Sequence, residues 1–141
     1  MYDSIIIGVA LFTEGSTSRT LIEKAAKMLN AGGRITLVHV EEPLPSFYAV
    51  NVPREHFEKR RKEAHKKLEM LATAAKGKRV ETDLRSGNPA QELLDAAKDN
   101  KADLIMIASH SPDMRDYFIG STASKIVRHA QCSVLVSRKH L

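Results

Sequence analysis

Residues 5–11 read IIIGVAL and residues 103–109 read DLIMIAS, two runs that are almost continuously apolar. Runs of this length are strands, and a strand without polar alternation is one covered by helices on both faces. Residues 35–40, ITLVHV, obey the same rule, so these three runs form the centre of a sheet. Residues 79–86, RVETDLRS, instead alternate Arg79, Glu81, Asp83 and Arg85 with Val80, Thr82, Leu84 and Ser86, the period of a half-exposed edge strand. Residues 133–137, SVLVS, supply a fifth strand.

Helices fill the gaps between the strands. The first places Leu21, Ile22, Ala25, Ala26, Met28 and Leu29 on one face and stops at Gly32-Gly33. The second opens at Pro53, spaces Phe57, Ala64, Leu68, Leu71 and Ala75 on a stripe, and ends near Gly77. The third begins NPAQ, with Asn88 as N-cap, Pro89 at the first helical position and Gln91 completing a capping box. The fourth follows Gly120 and buries Ala123, Ile126, Val127 and Ala130. The chain shows no repeat, low-complexity tract or linker. This alternation specifies an α/β fold of three layers: an open, twisted, five-stranded parallel sheet with helices on both faces, joined by right-handed crossovers. Ligands of such sheets gather at the carboxyl ends of the strands where the winding reverses. The candidate site therefore lies where strands one and four end, with Val9, Ala10 and Leu11 opposite Ala108, Ser109 and His110.

The chain of 141 residues suits one domain spanning residues 1–141. Its 43% hydrophobic and 28% charged residues carry no disorder or disulfide-scaffold signature. The start, Met-Tyr-Asp-Ser followed by three isoleucines, lacks the basic flank and apolar core of a secretory signal. No stretch approaches membrane-spanning length, so no membrane insertion is expected. Cys132 is the single cysteine, which fits a reducing, cytoplasmic setting. The net charge of +5 resides largely in residues 54–67, REHFEKRRKEAHKK, with seven Lys or Arg against three Glu. A nucleic-acid surface joins such a stripe to stacking aromatics, but aromatic content is 5% with no Trp, so the stripe reads as a solvated helix face and no nucleic-acid partner is expected.

Residues 118–127, FIGSTASKIV, raise the functional question. The first-turn amides of a helix lack internal partners and, with the helix dipole, bind anions. Gly120 lets a phosphate approach the backbone, and Ser121 and Thr122 add hydroxyl donors. The alternative is that Ser and Thr serve here as ordinary N-caps.

In this region the sequence resembles the universal stress proteins, whose C-terminal pattern is Gly-x2-Gly-x9-Gly-Ser/Thr, then a helix and a strand ending in Val-Leu-Val. The chain has Ala108-x2-Ser111-x8-Gly120-Ser121 followed by VRHAQCSVLVSR, with MYDSI, LVHV and SGNPAQELLDAAKDNKADLIMIASH upstream, so the resemblance covers its whole length. The Ser-His-x-Pro-Asp loop, Ser109 to Asp113, is similar to a subgroup that includes nucleotide binders. The resemblance implies the strand order 3-2-1-4-5 of an adenine-nucleotide alpha-hydrolase-like fold. It also implies ATP, with or without Mg2+, at the switch point, the phosphates on Ala108, Ser111, Gly120, Ser121 and Thr122, and the adenine against the backbone of Val40. Val9, Ala10, Ser109 and His110 complete the implied nucleotide-binding set.

Three positions depart from the family pattern. Nucleotide binders commonly end strand one with an aspartate, and Ala10 stands there. Losing such an acceptor costs about 1.5 to 3 kcal/mol unless Thr13 or Glu14 replaces it. Ala108 and Ser111 add side chains where the family has glycine. Two functions follow: a small ATP-binding regulatory protein of the stress response, acting through ligand-dependent dimer or partner contacts, or a dimeric interaction module of the same fold that has lost its nucleotide.

Dedicated catalysis is not expected, although slow hydrolysis is compatible with the pattern. The P-loop motif Gly-x4-Gly-Lys-Ser/Thr is absent, and no carboxylate cluster suggests a magnesium cage or other metal site. His110 reads as a loop-structuring residue rather than a base oriented by Asp113 or Asp116. His39 reads as a hydrogen-bonded core histidine, and Cys132 as a small buried apolar group. Residues 13–18, TEGSTS, admit a flavodoxin-like FMN site, but a flavin wants flanking aromatics; a phospho-receiver needs acids where Ala10-Leu11 stands. The connection 41–53, EEPLPSFYAVNVP, reads either as a lid over the base or as packing on helix two or a partner. Val134-Leu135-Val136 is apolar for an edge strand, and implies a homodimer joined along residues 133–137.

Overall fold

The computed structural model describes residues 1–11, 15–43, 51–109 and 120–138. Five strands, β1 (Tyr2–Gly8), β2 (Leu29–Glu41), β3 (Arg79–Ser86), β4 (Leu104–Ser109) and β5 (Ser133–Arg138), form one parallel sheet in the order β3-β2-β1-β4-β5. Helices α1 (Gly15–Met28) and α2 (Arg54–Ala72) cover one face, and α3 (Pro89–Asp99) and α4 (Ser121–His129) the other. This is the expected three-layer α/β architecture and strand order.

The apolar runs are continuous because alternate residues serve separate cores. Ile5, Ile7 and Leu37 meet Leu21, Ile22 and Leu68 on one side, while Ile6, Val38 and Ile105 meet Leu93, Ala96 and Ile126 on the other. Each of these Ile, Leu and Val side chains contributes about 1.5–3 kcal/mol by leaving water.

β2 starts earlier than the sequence suggests. Gly32-Gly33 does not stop α1, which ends at Met28; Leu29 belongs to the strand, opposite Tyr2. Two residues later in β1, Ser4 faces Arg34, so the four residues Asn30–Gly33 stand against the single Asp3, an irregularity in the pairing. Gly32 turns at φ 80°, and a Cβ on Gly33 would lie 2.7 Å from Leu29 Cδ1 and 2.8 Å from the Asp3 carbonyl oxygen.

Two residues assigned to buried stripes lie outside them. Phe57 is 38% exposed because residues 54–63 of α2 are all exposed, and the helix first meets the core at Ala64. Val127 is 51% exposed: α4 turns only Ala123 and Ile126 fully into the core, and the next residue lies about 100° further round the helix. Arg85 corrects in the opposite direction. Its side chain is only 18% exposed, bridging Asp83 at 2.8 Å, Asp99 of α3 at 2.9 Å and Glu92 of α3 at 3.7 Å. Arg85 thus ties the carboxyl-terminal end of β3 to α3 by charge.

The expected capping box is half formed. Asn88 Oδ1 accepts the Gln91 amide at 3.0 Å, but the Gln91 side chain donates to Asp95 Oδ1, one turn on, at 3.0 Å. That i,i+4 pair competes with the return bond. Asn88→Ala is therefore expected to lower stability by about 1 kcal/mol, seen as a melting temperature roughly 3 °C lower, whereas Asn88→Asp keeps the cap.

Candidate functional site

The site grows from the way β1 ends. Past Gly8, the Val9 amide donates to the Val38 carbonyl at 2.8 Å, and His39 Nδ1–H donates to the Val9 carbonyl at 2.9 Å. His39 is buried, as a hydrogen-bonded core histidine should be, and it pins the end of β1 to β2. On the other side the β1–β4 pairing ends at Ile7 and Met106. The space that opens there is a cleft of about 560 Å³, within the range of small-molecule sites.

The structure brings together seven of the ten expected residues. Val9 and Ala10 just past β1, Val40 from β2, Ala108 from β4, and Gly120, Ser121 and Thr122 at the start of α4 all line this cleft. Ser109 is the last residue of β4, paired with Arg138. His110 and Ser111 lie outside the described residues, as do Thr13, Glu14, Asp113, Asp116 and residues 44–50 of the suggested lid.

The start of α4 resolves the question of capping. Gly120, not Ser121 or Thr122, occupies the N-cap, at φ 85° and ψ 158°, and no side chain caps the helix among the described residues. The Ser124 amide returns to the Gly120 carbonyl at 3.0 Å, so the amides of Ser121, Thr122 and Ala123 precede the first helical bond. Among the described residues nothing lies within 4 Å of where a Gly120 Cβ would stand. Backbone donors without helical partners at the positive end of a helix suit an anionic group.

Sequence reasoning missed Glu42, Pro89 and Leu93, which also line the cleft. Glu42 lies one residue past the end of β2 and is exposed, at the rim of the cleft that Val40 also lines. Pro89 and Leu93 arrive through Asn88, whose cap positions the first turn of α3. The described lining contains no Lys or Arg, so its capacity for anions is that of amides and hydroxyls. Among the described residues no group of three or more His, Cys, Asp or Glu could hold a metal ion. No helix among them is long and apolar enough to cross a membrane.

Comparison with known proteins agrees with the geometry. The sequence pattern of the universal stress protein family matches residues 1–138. Universal stress protein G of Salmonella typhimurium is 32% identical over 146 residues, covering 98% of this chain and 100% of the relative. The universal stress protein of Archaeoglobus fulgidus in complex with dAMP superposes with a TM-score of 0.69 at 19% identity, covering 96% of this chain and 97% of that one. A universal stress protein in complex with cAMP superposes equally well, TM-score 0.69 at 18% identity, covering 97% of both chains. The chain belongs to the universal stress protein family.

Proposed function

We propose that the protein is a nucleotide-binding regulator of the stress response, of the subgroup with the Ser-His-x-Pro-Asp loop, and that it takes ATP in the cleft between β1 and β4. The observation that carries this reading is the start of α4, which no side chain among the described residues caps, in a cleft otherwise lined mostly by apolar side chains. Phosphates would rest on the amides of Ser121 and Thr122 and the adenine against Val40. The two relatives solved with adenine nucleotides make that ligand class the first to test. Glu42 is the one carboxylate in the described lining, which is no cage for magnesium, so an ion would arrive on the phosphates of ATP itself. With no base positioned among the described residues, ligand occupancy would act through a dimer or partner surface rather than turnover, in a soluble, cytoplasmic setting.

Glu42 takes the acceptor role that Ala10 cannot. Glu42→Ala is expected to weaken ATP binding about tenfold, the value of one charged hydrogen bond, and to leave 2′,3′-dideoxy-ATP unaffected. Equal weakening of both ligands would remove Glu42 from the ribose.

Dimer formation along β5 has its own basis. Val134, Leu135 and Val136 remain only half-buried at the sheet's edge, where a second copy would cover them. Sedimentation should give a mass that rises with concentration toward a dimer; a constant monomer mass would contradict it. The methyl of Ala10 in the cleft favours a second reading, an interaction module without nucleotide, which the absence of any thermal shift at millimolar ATP would select.

A further inference from the structure

A second cleft, of about 650 Å³, runs between α3 and α4 toward the amino ends of β4 and β5. It shares no lining residue with the first. We infer that this cleft is a separate binding site for a small phosphorylated molecule, held by Lys98, Lys101 and Lys125.

Three observations carry the inference. The first is charge: three lysines and His129 line the cleft against one carboxylate, Asp95, which already accepts a hydrogen bond from Gln91 at 3.0 Å. None of the three ammonium groups has an acidic partner among the described residues, and Lys125 is half-buried. Lysine is a point-charge donor well suited to phosphate, and convergent cations in a concave site bind it more strongly than the same charges spread over a surface.

The second is that none of these lysines is required to satisfy a helix carbonyl: only Lys98 lies in a last turn, whereas Lys101 follows α3 and Lys125 lies in the middle of α4. Here the final carbonyls of α3 are already taken: Ala96 accepts the Asn100 amide at 3.0 Å and Asn100 Nδ2 at 2.8 Å, Ala97 accepts the Ala102 amide at 2.8 Å, and Lys98 accepts the Lys101 amide at 3.2 Å. Ile126 of α4 accepts the Ala130 amide at 2.8 Å.

The third is the defined backbone of Lys101. It stands at φ 49°, the left-handed position that closes α3, with the Lys101 amide donating to the Lys98 carbonyl at 3.2 Å and the Ala102 amide to the Ala97 carbonyl at 2.8 Å. The apolar floor, Leu94, Ala97 and Ile105, would accept the non-phosphate part of the molecule. Cys132 also lines the cleft; burial, with a smaller contribution from the charge of Asp103, raises its thiol above the ordinary value and so lowers its thiolate fraction.

Inorganic pyrophosphate is the probe. In low-salt buffer, pyrophosphate should shift the backbone amide resonances of Lys98, Lys101, Lys125 and His129 saturably, with Kd below roughly 1 mM, and the affinity should fall as salt is added. Lys98→Glu/Lys125→Glu should weaken it at least about tenfold, and the milder Lys98→Gln/Lys125→Gln several-fold, both with dispersed, native-like spectra and unchanged ATP affinity. Shifts confined to Gly120–Ala123 would place pyrophosphate in the first cleft only and overturn the inference. So would the absence of shifts at these four residues, or equal affinity in wild type and both variants.

Discussion

Gly120→Val is expected to lower ATP affinity at least about 100-fold, beyond what a titration at millimolar nucleotide detects easily. Two effects combine. Gly120 stands at φ 85°, where an L side chain is strained by roughly 1–2 kcal/mol. Among the described residues nothing occupies the space at its Cβ position, and a valine would put methyl groups where the phosphates need to reach the amides of Ser121 and Thr122. Gly77 provides a matched control. It lies at φ 77°, again with nothing within 4 Å, beyond the end of α2 and outside the cleft. Gly77→Val should therefore carry a similar stability loss and keep ATP affinity. If both variants bind ATP as wild type does, the start of α4 does not hold the phosphates.

Asp103→Ala should destabilise the fold by about 3 kcal/mol, roughly 10 °C in melting temperature. Its carboxylate accepts the Asp3 amide at 2.9 Å on one oxygen and 3.2 Å on the other, and the Ser4 amide at 3.0 Å. The Asp103 amide in turn donates to the Ser4 carbonyl at 3.0 Å, so one residue joins the starts of β1 and β4. Removing the carboxylate leaves two backbone donors without their acceptor and frees the two strands whose far ends frame the first cleft. Asp103→Asn retains one acceptor oxygen and should recover about half the loss. Calorimetric melting distinguishes these outcomes, and a shift under 3 °C for the alanine variant would contradict the account.

The pH dependence of this contact has a definite sign. Burial alone would raise the Asp103 pKa, but the amides of Asp3, Ser4 and Asp103 itself outweigh it and hold the carboxyl below its ordinary 3.8. A group whose pKa is lower in the folded than in the unfolded chain adds stability above its unfolded value and loses it as pH falls through the folded one. The gap between wild type and Asp103→Asn should thus stay constant from neutral pH down to about 4 and narrow below that.

Much of the architecture was legible because burial on both faces leaves a plain trace. Ile5, Ile6 and Ile7 cannot all be apolar on a half-exposed strand, and that fact alone placed helices on both sides of the sheet. The misreadings arose where local pattern and tertiary context conflict. Gly32-Gly33 looks like a helix stop, but Leu29 gains more by burial in the strand than by a further helical turn. Phe57 fits the spacing of an apolar stripe, yet no sheet lies beneath that part of α2. Arg85 reads as a solvent-facing edge residue because a single sequence does not show that Asp83, Glu92 and Asp99 converge on it.

The candidate site was legible in its outline and not in its chemistry. The strand order fixed where β1 and β4 diverge, and Gly120-Ser121-Thr122 marked the anion-binding end. Whether Ser121 or Thr122 capped α4 depended on one backbone geometry, which the residue types alone leave open. Glu42 was hidden because it lies just past β2, and only the path of the chain beyond Glu41 brings it to the cleft that Val40 lines.

Isothermal titration of ATP into the wild-type protein tests the central claim most directly. The account predicts saturable binding of one ATP per chain, weakened about tenfold in Glu42→Ala and lost in Gly120→Val. No heat at millimolar ATP from a protein that melts cooperatively would contradict it.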